Sequence, residues 1–209
     1  MQGKFITLEG SEGAGKSTVL RFIQSYLTQA QIKFELTREP GGTPLAEEIR
    51  RVLLHPGIDE TMQPLTELLL MFASRAQLIQ TVIQPALAAG CWVVSDRYVD
   101  ASYAYQGGGR MVALENIQLL DQMVVQDTYP DLTLLLDLPA ELGILRAGER
   151  GTERDRIEKE KMDFFERVRT GYLQRAHEDP ARIKIIDASQ PLAAVQAQVA
   201  TILTDLMAK

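Results

Sequence analysis

Gly10-Ser11-Glu12-Gly13-Ala14-Gly15-Lys16-Ser17 satisfies the pattern G-x-x-x-x-G-K-[ST], and no other feature constrains the chain as tightly. The apolar run Phe5 to Leu8 stands directly before it and a helical segment begins near Lys16, so the stretch reads as strand, turn and helix. Gly10, Gly13 and Gly15 can take positive φ and place no Cβ in the way. With Ser11, Glu12 and Ala14 between them, successive backbone N–H groups can turn inward on phosphate oxygens at a helix N-terminus. Lys16 can reach the outer phosphates as a point charge. Ser17 can offer its hydroxyl to Mg²⁺, and Thr18 lies where an α-phosphate would be.

A strand–loop–helix of this kind calls for a parallel sheet, and the rest of the chain supplies one. Short apolar runs at Lys4 to Glu9, Lys33 to Thr37, Cys91 to Ser95, Leu132 to Asp137 and Ile183 to Asp187 alternate with helix-like segments. This predicts an α/β P-loop fold in three layers, a central five-stranded parallel sheet flanked by helices. Leu192, Val195, Val199, Ile202, Leu203 and Leu206 recur at helical spacing and predict a C-terminal helix with one apolar stripe. Pro64 opens a long apolar segment that Pro85 kinks or ends. No repeat or Pro/Ser-rich linker divides residues 1–209, so one domain is expected.

Composition narrows the functional classes. Of 209 residues, 45 % are hydrophobic and 24 % charged, which is globular rather than disordered. The longest apolar runs are soon interrupted by charge and the N-terminus has no signal-peptide pattern. A single Cys91 forms no internal disulfide, and two distant histidines give no zinc spacing. A soluble, cytoplasmic protein is expected. The net charge of −6 argues against broad nucleic-acid binding, which needs a basic surface.

A P-loop alone does not separate a kinase, a GTPase switch and an ATP-driven machine. The guanine-reading N-K-x-D pattern is absent, which lowers the second. Asp96 ends the third apolar run, where it could meet Lys16 at one sheet edge and position Mg²⁺-bound water. Arg38 follows the second run and precedes the turn Pro40-Gly41-Gly42, while Arg97 follows Asp96. Each arginine alone reads as a surface or salt-bridge residue; beside a P-loop, planar guanidinium forks suit phosphate.

Taken together, Glu9-Gly10, the loop, Thr37-Arg38-Glu39-Pro40-Gly41-Gly42-Thr43, Asp96-Arg97-Tyr98 and Ala104-Tyr105-Gln106-Gly107-Gly108-Gly109 closely resemble the bacterial thymidylate kinase family, in the same order along almost the whole chain. Arg146 to Glu158 resembles that family's arginine-bearing lid. The resemblance implies transfer of the γ-phosphoryl group of ATP to thymidine monophosphate (dTMP), Mg²⁺ dependence, a homodimer and a place in deoxythymidine triphosphate supply. It implies Arg38 and Arg50 near the acceptor phosphate and Arg97 as the bidentate phosphate clamp. Glu12 would accept the nucleotide's 3′-hydroxyl. Phe72, although a helical phenylalanine is ordinarily core, would stack on thymine, and Arg75 would hydrogen-bond a ring oxygen. Ser102 would face the base, Tyr105 would crowd the 2′ side of the sugar, and Gln106 would line the pocket.

Two departures accompany the resemblance. The family's D-R-Y-x-x-S places a serine where this chain has Ala101, with the hydroxyl one residue later at Ser102. The phosphate loop itself carries no arginine, so a lid arginine is expected to reach the transferring group; Arg150 comes first, with Arg154 and Arg146 as alternatives. A kinase for another nucleoside monophosphate, such as uridine monophosphate, and a nucleotide-dependent binding switch are the competing readings.

Overall fold

Strands with no polar face must be covered on both sides, and this chain has two of them. In the computed structural model, which describes residues 3–55, 60–148 and 155–208, β1 (Phe5–Glu9) is buried at every position and β4 (Leu132–Asp137) at all but the last. They lie side by side in the middle of a parallel sheet of order β2-β3-β1-β4-β5, completed by β2 (Phe34–Arg38), β3 (Trp92–Asp96) and β5 (Ile183–Asp187). Each strand falls within one residue of its expected place. Leu8 pairs with Asp96 and with Leu134 across β1.

Helices cover both faces. On one, α1 (Lys16–Gln29) and α9 (Leu192–Met207) bury Val19, Ile23 and Leu27, and Val195, Val199, Leu203 and Leu206; each such side chain contributes about 1.5–3 kcal/mol. On the other lie α2 (Pro44–Leu54), α3 (Pro64–Leu78), α4 (Gln84–Ala88), α5 (Val99–Ser102), α6 (Leu114–Val124), α7 (Ala140–Gly148) and α8 (Met162–Glu178).

The long segment after Pro64 does not run as one regular helix. α3 passes through a π-helical turn, Ile79–Ile83, directly into α4, with Pro85 in the first turn of α4. A proline ring clashes with the carbonyl four residues back; a widened turn just before it relieves that clash. A second π-helical stretch, Tyr103–Gly109, continues α5.

Crossing order reverses at β1, whose neighbours β3 and β4 lead away on opposite sides. Ligands bind in open α/β sheets beyond the strand C-termini at such a point. The loops leaving β1 and β3 meet there.

Candidate active site

The loop between β1 and α1 closes on a helix with no side-chain cap. Gly15 holds φ 88 and the first N–H groups of α1 lack a capping side chain, which leaves them for an anion. Glycine is required at position 13: φ is 74, and a Cβ there would lie 1.9 Å from the carbonyl oxygen of Gly143 on α7. Loop and helix touch backbone to backbone. Lys16 Nζ donates to Gly10 O at 2.9 Å and Ser11 O at 3.1 Å, so these two residues steer the lysine through their carbonyls. Burial and the nearby Arg97 pull the Lys16 pKa down against Glu12, Asp96 and Glu9; a bound phosphate would favour its charged form.

A cavity of about 600 Å³ opens over this loop. Its walls hold Glu12, Gly13, Ala14, Gly15, Lys16, Ser17 and Thr18 at one end. At the other are Arg50, Met71, Arg75, Ala101, Ser102, Tyr105 and Gln106, with Asp96 and Arg97 also lining it. The volume lies in the range of small-molecule sites.

Arg97 enters the cavity from a strained backbone. Its φ is 70, unusual for a residue with a Cβ. Arg97 N donates to Leu8 O at 2.9 Å, Ser95 Oγ donates to Arg97 O at 2.7 Å, and Tyr98 N donates to Glu9 Oε1 at 2.7 Å. These bonds fix the turn. The guanidinium donates through Nη2 to Glu12 Oε1 and to Tyr105 Oη, the latter at 2.8 Å, while its buried Nε has no partner among the described residues. Against a desolvation cost, Arg97 and Lys16 hold the Glu12 carboxyl down at about 2. A carboxylate inside a phosphate cradle is thereby kept ionised and in place.

Arg50, on the cavity wall, donates to Pro40 O at 2.9 Å. Burial first, and then the positive charges of Arg38 and Arg97, lower its pKa, Glu47 and Asp155 opposing. A cluster of this kind attracts a dianion. Arg38 differs from expectation: it is half exposed, donates to Glu47 at 2.9 Å and is off the cavity wall. Glu47 also accepts from Gly42 N at the start of α2, which fixes it where it captures Arg38.

Phe72 also departs from its expected role. It is 2 % exposed and packs in the core with Leu68 and Tyr98. Met71, one position earlier, lines the cavity instead, because residues 67, 71 and 75 share the inward face of α3. Arg75 does line the cavity, yet most of its donors are committed: Nε and Nη2 to Glu39 at 2.9 and 2.7 Å, Nη2 to Tyr98 O, and Nη1 to Ser102 Oγ at 3.0 Å. Its guanidinium carbon sits 4.5 Å from the Phe72 ring centre, so Phe72 supports Arg75 from behind. Arg150 and Arg154 lie outside the described residues. Arg146 is on the wall and donates to Ala188 O at 2.9 Å.

Mg²⁺ fits the donor set. Asp96 Oδ1 is buried without a partner among the described residues, and Asp96 and Ser17 line the same cavity. One carboxylate and one hydroxyl suit an ion that takes oxygen ligands and completes its shell with waters and substrate phosphates.

Several residues that matter here carried no role in the sequence reading. Glu9 and Glu39 stand inside quoted motifs, and Glu67 is the lone carboxylate in the run Leu65 to Ala73; its place four residues before Met71 and eight before Arg75, on one helix face, was the available signal. Arg21 lines the cavity beside Thr18 and donates to its hydroxyl at 3.3 Å.

The family model for thymidylate kinase matches residues 8–199. The thymidylate kinase of Pseudomonas fluorescens (strain Pf0-1) is 56 % identical over 207 residues, covering 99 % of this chain and 98 % of that one. That of Vesicomyosocius okutanii is 56 % identical over 206 residues, 98 % of this chain and 99 % of that one. A crystal structure of thymidylate kinase from Ehrlichia chaffeensis superposes with a TM-score of 0.78 at 30 % identity, covering 98 % of this chain and 99 % of that one. The nucleotide cradle, the arginine cluster and these likenesses agree: the chain belongs to the thymidylate kinase family, enzymes of the P-loop α/β class.

Proposed function

We propose that the protein transfers the γ-phosphoryl group of ATP to dTMP, giving thymidine diphosphate and ADP, as a single catalytic domain in the cytoplasm that serves deoxythymidine triphosphate supply. The observation that carries this reading is the continuity of one cavity from the phosphate loop to a second pocket lined by Arg50, Arg75, Tyr105 and Gln106. A switch or a simple ATPase has no use for that second pocket.

ATP occupies the loop end. Lys16 exchanges the Gly10 and Ser11 carbonyls for phosphate oxygens, with the N–H groups of residues 13–18 around them. Arg97 and Arg50 hold the dTMP phosphate, and Arg38 leaves Glu47 to join them. Glu12, oriented by Arg97 and Tyr105, accepts the 3′-hydroxyl of the sugar. Tyr105, 4 % exposed, stands where a 2′-hydroxyl would go. Arg75, Ser102 and Gln106 meet the base, with Met71 against its face. Phosphoryl transfer needs alignment and charge stabilisation more than covalent help. When bound, Mg²⁺ neutralises charge on the phosphate oxygens; Asp96 and Ser17 hold it. Arg150 or Arg154 completes the charge balance at the γ-phosphoryl group.

A homodimer is part of the proposal. Leu65 and Leu69 on α3 and Leu119 and Met123 on the adjacent α6 are exposed, an apolar face suited to a second copy. No described helix is long and apolar enough to cross a membrane.

A coupled ADP-release assay with ATP and Mg²⁺ tests the function, comparing thymidine, deoxyuridine, uridine, deoxycytidine and deoxyguanosine monophosphates with no acceptor. Preference for dTMP is expected. ADP release indifferent to acceptor would overturn it.

A further inference from the structure

Glu67 stands in the apolar run of α3 with 1 % of its surface exposed, and the transfer chemistry has no use for it. Two guanidinium groups sustain a carboxylate there. Arg156 Nη2 donates to Oε2 at 2.6 Å, and Arg110 Nε donates to both oxygens at 3.1 and 3.2 Å. Burial alone would raise the Glu67 pKa, yet Arg110, Gln106 and Arg156 together hold it below the usual carboxylate value. An ionised carboxylate only accepts hydrogen bonds.

The remaining donor on Glu67 is the Gln106 amide, Nε2 to Oε1 at 2.8 Å. An amide can be turned either way, donor end or acceptor end first. Facing a group that only accepts, Gln106 has to present its NH₂ to Glu67 and turn its carbonyl away. Gln106 lines the cavity, and its Oε1 accepts no hydrogen bond among the described residues. One helical turn earlier on the same wall, Ser102 Oγ receives Arg75 Nη1, a group with donors only. The pocket thus offers a donor beside an acceptor.

Thymine presents a carbonyl oxygen beside a ring N–H, which complements that pair. Cytosine presents an amino group beside an unprotonated ring nitrogen, so the Gln106 carbonyl meets a second acceptor in place of a ring N–H. We infer that Glu67 is a specificity-determining positioning residue: by holding the Gln106 carbonyl toward the cavity, it makes the pocket take a pyrimidine with a ring N–H and reject cytosine. It acts through Gln106 without touching nucleotide, and the inference rests on the dTMP reading above.

The test measures kcat/KM for thymidine, deoxyuridine and deoxycytidine monophosphates in the native enzyme, Glu67→Gln, Gln106→Ala and the double variant, with thermal unfolding run on each. In Glu67→Gln the two arginines claim the new carbonyl, its NH₂ faces Gln106, and Gln106 turns over. The preference for thymidine over deoxycytidine monophosphate then falls about tenfold or more. The thymidine to deoxyuridine ratio stays native, because those bases share the edge. Gln106→Ala, which leaves Glu67 paired with both arginines, also narrows the first ratio, and adding Glu67→Gln changes it no further. An unchanged ratio in Glu67→Gln, an equal loss for all three nucleotides, or full additivity in the double variant overturns the inference. If Glu67→Gln does not fold, Gln106→Ala decides: a narrowed ratio supports the inference and a native one overturns it. A native enzyme inert toward every nucleotide would remove the dTMP reading itself.

Discussion

Glu12 and Arg97 face each other across the mouth of the phosphate loop, with Arg97 Nη2 and Tyr105 Oη donating to the same Glu12 oxygen. The arrangement ties the loop after β1 to the loop after β3. Removing either charge takes from the other its ion-pair partner on the wall of the cavity. Arg97→Ala is expected to lower kcat about 10³-fold, and the Glu12→Gln and Arg97→Ala effects are expected to be strongly non-additive. Steady-state kinetics of both single variants and the double variant check this; simple additivity would count against a shared role.

Asp96→Asn keeps the shape of the side chain and removes its charge. Since Asp96 Oδ1 has no protein partner among the described residues, folding should be little affected, while the Mg²⁺ concentration for half-maximal rate rises about tenfold or more. A rate-against-Mg²⁺ titration reads the shift directly, and an unmoved midpoint would take Asp96 out of the metal site.

The two functions proposed for Tyr105 separate by mutation. Tyr105→Phe removes the bond to Glu12 and should lower kcat while leaving discrimination against a 2′-hydroxyl intact. Tyr105→Ala opens the space and should narrow the preference for deoxyribonucleotide about tenfold or more. Paired assays with dTMP and its ribonucleotide counterpart distinguish the two.

Glu39 and Arg75 form an ion pair with almost no solvent exposure. Glu39→Gln strands a guanidinium in the interior and is expected to cost about 3–5 kcal/mol of stability. Urea denaturation of the native and variant chains measures it. A loss below about 1 kcal/mol, typical of exposed pairs, would mean that the pair is wetter than it looks.

Glu9 provides a pH test. Burial, followed by the charge of Asp100, pushes its carboxyl up to about 8 against the bonds from Tyr172 and Tyr98. Between the ordinary value of 4.5 and about 8 the folded chain therefore holds the proton that the unfolded chain has released. This group's contribution to stability is fully present below the lower value and declines as pH rises, until it is lost above about 8. Glu9→Gln, which keeps the neutral shape, should flatten that decline in Tm measured from acid to mildly alkaline pH; an equal slope in both chains would refute the assignment.

The strands, the phosphate loop and the C-terminal helix were legible in the sequence because local pattern decides them: buried parallel strands are short apolar runs, and the loop needs its glycines. What the pattern left hidden was helix phase. Phe72 and Met71 are adjacent and both apolar, and only the packing of α3 decides which one faces the cavity. The Arg38 position was equally hidden, since its partner Glu47 comes from the following helix. Buried carboxylates such as Glu67 escaped notice because their reason for being there, guanidinium groups from 43 and 89 residues away, exists only once the chain is folded.

Backbone contact between Gly13 and Gly143 has a mechanical meaning. With no side chain between them to yield, the phosphate loop and the start of α7 move as one body, and a Cβ on Gly143 would come 2.5 Å from the Glu12 carbonyl oxygen. Whatever the N–H groups of the loop hold is therefore registered to α7 as well, and the place of Arg146 on the cavity wall follows from the same rigid contact.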